Sequence, residues 1–258
     1  MRSFTVEVDE LLAGVDGAVD RMAVWSRRAG LDEAVPTCPG WTVRDLVAHQ
    51  GMVHRWATAI VGGADPSSVD DAALEAEGRS STDPVGWLLD GAAPLVAALR
   101  AAPDDLEVMT FLKQAPPPRR FWARRQCHET TVHALDALAA AEQRRPRAED
   151  LWLPEALAVD GVDELLVGFW QRRTKGPRSG TPYTATVAVV DGPVWALDVG
   201  DSAPVTRRLE PGDGIPTGAR TLEGSAADLY LALWNRGGVV DDPSGLLAQW
   251  GRPGAVTW

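Results

Sequence analysis

Lysine is nearly missing from this chain of 258 residues: Lys113 and Lys175 are the whole complement, so arginine supplies almost all of the 25 basic side chains. Together with abundant alanine, that bias fits a high-GC coding genome. Positive charge is in deficit overall, with 25 basic against 36 acidic residues and a formal net charge of -11. Such a chain repels nucleic acid and anionic membrane at long range, so neither is an expected partner. Cysteine is equally scarce. Cys38 and Cys127 are too few for a disulfide framework and lack CxxC spacing, which leaves two reduced thiols. No stretch approaches 18 uninterrupted apolar residues, and MRSFTVEVDELL lacks the basic start and apolar run of a secretory signal. A cytoplasmic protein is expected. What is plentiful is core: 45% hydrophobic residues suffice for one large or two modest domains.

Four helical patterns occupy the first half. Leu11, Leu12, Val15, Val19, Met22 and Trp25 recur at helical spacing between Val6 and about Ala29, ending near Gly30. VPTCPGW is a loop, because Pro36 and Pro39 cannot sit in a helix interior. Thr42 and Asp45 then form a variant capping box that opens a helix from about Val43 to Val61. A third runs from Pro84 to about Ala101, and a fourth from the PPP at 116–118 to about Glu142. This predicts an antiparallel four-helix bundle over residues 1–148, an architecture that often builds metal sites in its core. Beyond it the texture changes. Pro154 to Arg172 still reads as helical, but TPYTATVAVVDGPVWALDVGD has strand chemistry with Asp191-Gly192 as a hairpin turn. Extended pieces follow around Thr206 to Leu209 and Arg220 to Leu222, and Ser225 caps a helix, AADLYLALWNR, stopped by Gly237-Gly238. Residues 149–258 are thus a small α+β domain, making the whole an α plus α/β two-domain chain.

Histidine carries the functional signal. All four residues lie in two stretches, His49 and His54 in TVRDLVAHQGMVHRWA, His128 and His133 in RRQCHETTVHALDA. HETTVH is not a zinc-protease HExxH motif, because residues five apart on a helix diverge by about 140°. Glu129 and His133, four apart, share a face and have ligand geometry, and Asp136 is placed to hydrogen-bond the imidazole. His128 falls with the apolar stripe of Phe121, Val132, Leu135 and Ala139. On the second helix His49 and His54 flank the apolar stripe on opposite sides, and the wheel does not choose between them. Two imidazoles and one carboxylate would form a catalytic-type zinc set with one position open. Cys127 is expected to be a buried inert thiol and Cys38 to pack at the bundle end. Trp41, Trp56 and Trp122 flank these stretches and either wall a pocket or, as for most of the eleven tryptophans, simply pack the core.

CPGWTVRDLVAHQGMVHRWA, RRQCHETTVHALDA and GSAADLYLALWNRGG together resemble the mycothiol-dependent maleylpyruvate isomerase family of actinobacteria. The resemblance implies a DinB-like four-helix bundle bearing Zn2+, followed by a domain similar to sterol carrier protein. It implies His49, Glu129 and His133 as the metal ligands, leaving His54 a structural or pocket residue. It further implies that mycothiol, activated at the metal, adds to the double bond of maleylpyruvate, which rotates as a single bond and is restored as the trans isomer. Arg236 matches the position of the family's arginine in the second domain and is the candidate clamp for an anionic group. Its alternative is a surface arginine near a helix C-terminus. Arg125 either faces the same thiol-binding pocket or pairs with Glu129 or solvent. A mycothiol S-transferase and a non-catalytic metal- or ligand-binding protein are the other readings.

Overall fold

In the computed structural model, which describes residues 6–112, 114–172, 176–210 and 212–250, the first apolar stripe winds into α1 (Val8–Ala29). Glu7 and Glu10 close a capping box at its start, and Gly30 ends it with φ 90°. α2 (Val43–Val61) begins at the predicted box: the Thr42 hydroxyl accepts from the Asp45 amide, and the Asp45 carboxylate accepts from the Thr42 amide. α4 (Pro84–Ala101) and α5 (Pro118–Glu142) likewise start on the prolines that mark them, with the Asp83 side chain capping α4. α1, α2, α4 and α5 pack as the expected four-helix bundle, with α5 against the other three. The sequence reading missed a fifth helix, α3 (Asp71–Ser80), which packs on α2 and α4. Among its residues only Gly78 is buried, so it has no apolar stripe to detect.

α2 and α4 approach closely at Gly51, where a Cβ would stand 2.3 Å from Cζ3 of the buried Trp87 and 3.3 Å from the Leu88 Cα. Overpacking of a filled core ordinarily costs about 1–3 kcal/mol. Gly51→Ala is therefore expected to lower the free energy of unfolding by that much, seen as a lower denaturant midpoint at an unchanged m-value. An unchanged midpoint would show that Trp87 yields freely.

Among the described residues the chain divides into two compact units, the bundle (Val6–Phe111 with Ala115–Pro146) and a second that runs from Arg147 onward and takes in Leu112 and Gln114. In the second, α6 (Glu155–Asp163) runs into a single π-helical stretch, Glu164–Phe169, closed by the Trp170 amide on the Leu165 carbonyl at 2.9 Å. The predicted helix thus ends before Arg172 and is widened over its last turns. A four-stranded sheet follows, ordered β3-β2-β1-β4, from β1 (Tyr183–Val189), β2 (Val194–Val199), β3 (Val205–Arg208) and β4 (Arg220–Gly224). β1 is antiparallel to β2, pairing Val187 with Trp195, and parallel to β4, pairing Val187 with Leu222. The hairpin turn differs in detail from the sequence reading. Gly192 N–H closes it on the Val189 carbonyl at 2.9 Å, so Asp191 is the residue in the left-handed region, with φ 55°. α7 (Ala226–Leu233) is capped by Ser225 as expected but stops three residues early, because Asn235 turns left-handed at φ 59°. α8 (Leu246–Trp250) was not anticipated. No helix among the described residues is long and apolar enough to cross a membrane.

Candidate metal centre

A helix buried all round is ordinarily apolar. α5 is buried from Phe121 to Ala140 apart from half-buried Arg124, yet it takes Arg125, Gln126, His128, Glu129, Thr130, Thr131, His133 and Asp136 into the interior. Charges and imidazoles are costly there unless they are paired, hydrogen-bonded or bound to a ligand. His133 Nε2 lies 3.6 Å from Glu129 Oε1, one turn back on the same face. Across from them α2 presents His49, whose ring centroid is 5.4 Å from that of His133. One ligand atom from each of His49, Glu129 and His133 lies within 4.8 Å of the other two. His49 Nε2 is buried with no hydrogen-bond partner. A buried ring nitrogen without a partner, beside a carboxylate and a second imidazole, belongs to a donor set that suits a divalent ion.

The second ring nitrogen of His133 is accounted for. Its Nδ1 donates to Asp136 Oδ2 at 2.9 Å, which leaves Nε2 toward Glu129. His49 Nδ1 stands 3.9 Å from Glu75 Oε2 on α3. Arg79 holds Glu75 at 2.6 Å and also reaches Asp45 at 3.0 Å. Burial and the neighbouring His133 push the His49 imidazole down to about 4, so it is neutral at physiological pH. Burial works to lower His133 too, but the hydrogen bond to Asp136 and its neighbours outweigh it and raise the pKa well above the ordinary value. Burial works to raise Glu129, but Arg125 and His133 hold it below the usual carboxylate range. Trp41 walls this cluster, with ring centroids 5.0 Å from His49 and 6.1 Å from His133, nearly parallel to the latter.

Family models now meet this geometry. That of the mycothiol maleylpyruvate isomerase N-terminal domain matches residues 8–138, and that of the C-terminal domain matches residues 156–256. The chain belongs to the mycothiol maleylpyruvate isomerase family. Two solved structures share its fold with full coverage of both chains: a mycothiol-dependent maleylpyruvate isomerase at 16% identity and TM-score 0.65, and a histidine-to-alanine mutant of such an isomerase at 17% and 0.64. No curated protein matches.

Within this family member the other sequence candidates fall as follows. His54 is fully buried and bridges α2 to α5: its Nε2 lies 2.8 Å from Gln50 Nε2 and 3.0 Å from Thr130 Oγ1. Burial pushes it down to about 3, so it is a neutral polar link between helices. His128 and Cys127 are fully buried. Arg125, 2% exposed, places Nη2 3.1 Å from Glu129 Oε2. Trp56 and Trp122 pack edge to face at 5.3 Å. Arg236, in the second unit, is not the surface residue of the alternative reading: it is 8% exposed, lies beyond the end of α7, and donates from Nη1 to the Trp234 carbonyl at 2.9 Å.

Sequence reasoning overlooked Glu75 and Thr37. Glu75 belongs to the helix that carries no apolar stripe. Thr37 meets Asp136 at 2.5 Å across 99 residues of chain, a pairing that no local pattern encodes.

Proposed function

We propose that His49, Glu129 and His133 hold a zinc ion, and that the protein uses it to activate a low-molecular-weight thiol, mycothiol, for cis-trans isomerisation of maleylpyruvate or a close electrophilic relative. The observation that carries this reading is the convergence of one ligand atom from each of these three residues in the bundle core, where His49 Nε2 has no hydrogen-bond partner. Bound zinc would supply a positive charge that keeps a thiol deprotonated near neutral pH and polarises a substrate oxygen. The chain's own residues do the rest. Arg125 keeps Glu129 anionic, Asp136 holds the Nδ1 proton of His133, and the Trp41 ring keeps bulk water from the two imidazoles. Thiolate addition turns the activated double bond into a single bond free to rotate, and loss of the same thiolate restores it as trans. The thiol is regenerated, so no redox partner is needed. Arg236 is assigned to an anionic group of the substrate or thiol, as a bidentate cation suited to carboxylate.

A turnover assay tests this. Maleylpyruvate should isomerise only when both mycothiol and zinc are present, and Arg236→Ala should raise KM at least about tenfold, the effect of losing one charge-assisted contact. Isomerisation without mycothiol, or undiminished after the metal is stripped, would sink the reading. Accumulation of a stable thiol adduct would instead mark an S-transferase.

A further inference from the structure

The loop before α2 is built more rigidly than its length requires. Pro39 and Gly40 occupy the middle of a turn closed by the Trp41 amide on the Cys38 carbonyl at 3.0 Å, with Gly40 at φ 87°, the conformation a type II turn asks of its third residue. The Val35 amide donates to the Trp41 carbonyl at 2.9 Å and ties the two sides of the loop together. This framework presents two side chains to α5. The Thr37 hydroxyl donates to Asp136 Oδ1 at 2.5 Å, and the Cys38 thiol to Asp136 Oδ2 at 3.3 Å. Asp136 is fully buried, and the same Oδ2 accepts from His133 Nδ1.

Asp136 thus accepts from three named donors at once, two of them on the loop. A lone buried carboxylate is costly, and these contacts offset the cost while leaving it few orientations. We infer that Thr37 and Cys38 are positioning residues: acting through Asp136, they fix the ring orientation and tautomer with which His133 offers its Nε2. The inference rests on the reading of His133 as a metal ligand. A carboxylate on the remote nitrogen of a ligating histidine typically strengthens metal affinity 10–100-fold. Here the loop determines whether that carboxylate is in place. Cys38, with Asp136 and His133, also forms a second trio of ligand-type atoms. Asp136 explains that trio as a hydrogen-bonded support, with His133 Nδ1 carrying a proton.

Competition for zinc against a chromophoric chelator separates the ligand role of His133 from the positioning role of Thr37 and Cys38. The unaltered protein should bind one zinc and His133→Ala should lose it. Thr37→Val with Cys38→Ala should then bind zinc about 10–100-fold more weakly, as should Asp136→Asn, while Thr37→Ser with Cys38→Ser, which restores both donors, should return to within a few-fold of the unaltered protein. If the Val/Ala pair and Asp136→Asn bind as tightly as the unaltered protein although His133→Ala does not bind, the positioning role is wrong and the ligand assignment stands. If the unaltered protein takes up no zinc, or His133→Ala keeps it, the ligand assignment falls and the positioning role with it. Should Asp136→Asn not fold, the loop pair and its serine rescue decide alone.

Discussion

His49→Ala is expected to remove zinc and thiol-dependent turnover together while leaving the bundle folded. Binding energies of ten or more kcal/mol for structural zinc, spread over the ligands, put one imidazole at roughly 3 kcal/mol, or about 100-fold and upward in affinity. The side chain makes no hydrogen bond that holds α2 in place, since its Nε2 is orphaned and its Nδ1 is only within ion-pair range of Glu75. Far-UV circular dichroism should therefore be unchanged while metal analysis falls from one equivalent toward none. His54→Ala supplies the contrast on the same helix. It should keep its zinc but lose stability, because it empties a filled core position and leaves Gln50 and Thr130 only their bond to each other. Full metal stoichiometry in His49→Ala would remove His49 from the site.

Arg125→Met carries the largest expected effect on stability. Arg125 and Glu129 are 2% and 4% exposed, and breaking a pair this deeply buried by removing one partner costs about 3–5 kcal/mol, because the survivor keeps its charge in a poorly solvating core. His133, 3.6 Å away, offsets part of that loss. The metal-free variant should accordingly unfold at markedly lower denaturant than the metal-free unaltered protein. Zinc should narrow the gap, since it supplies the cation that Glu129 has lost and so stabilises the variant's uncompensated carboxylate more than the one already paired with Arg125. Equal denaturant midpoints without metal would show that Arg125 does not hold Glu129 as an anion.

The local elements were legible in the sequence because their signals are local. The Thr42/Asp45 box and the proline starts of α4 and α5 mark helix boundaries through chemistry within four residues, and the structure places the boundaries there. The four-residue spacing of Glu129 and His133 similarly specified a shared face, and Asp136 does meet His133. What the local pattern does not encode is long-range. His49 and His54 are equivalent on a helical wheel. They part only because α5 opposes them with different residues, Glu129 and His133 near the first and Thr130 against the second. The parallel pairing of β1 with β4 and the grip of Thr37 and Cys38 on Asp136 join distant stretches of chain. Arg236 shows a subtler failure. An apolar run with good helix formers suggests that the helix continues to the arginine, but a left-handed Asn235 ends it first, and Arg236 is buried beyond that end.

X-ray absorption at the zinc edge of the zinc-loaded, thiol-free protein reads out the ligand set. With His49, Glu129 and His133 as ligands, nitrogen and oxygen scatterers are expected at about 2.0–2.1 Å, including the outer-shell signature of two imidazoles, and no sulfur. A sulfur scatterer at about 2.3 Å before any thiol is added would make Cys38 a ligand and contradict that set.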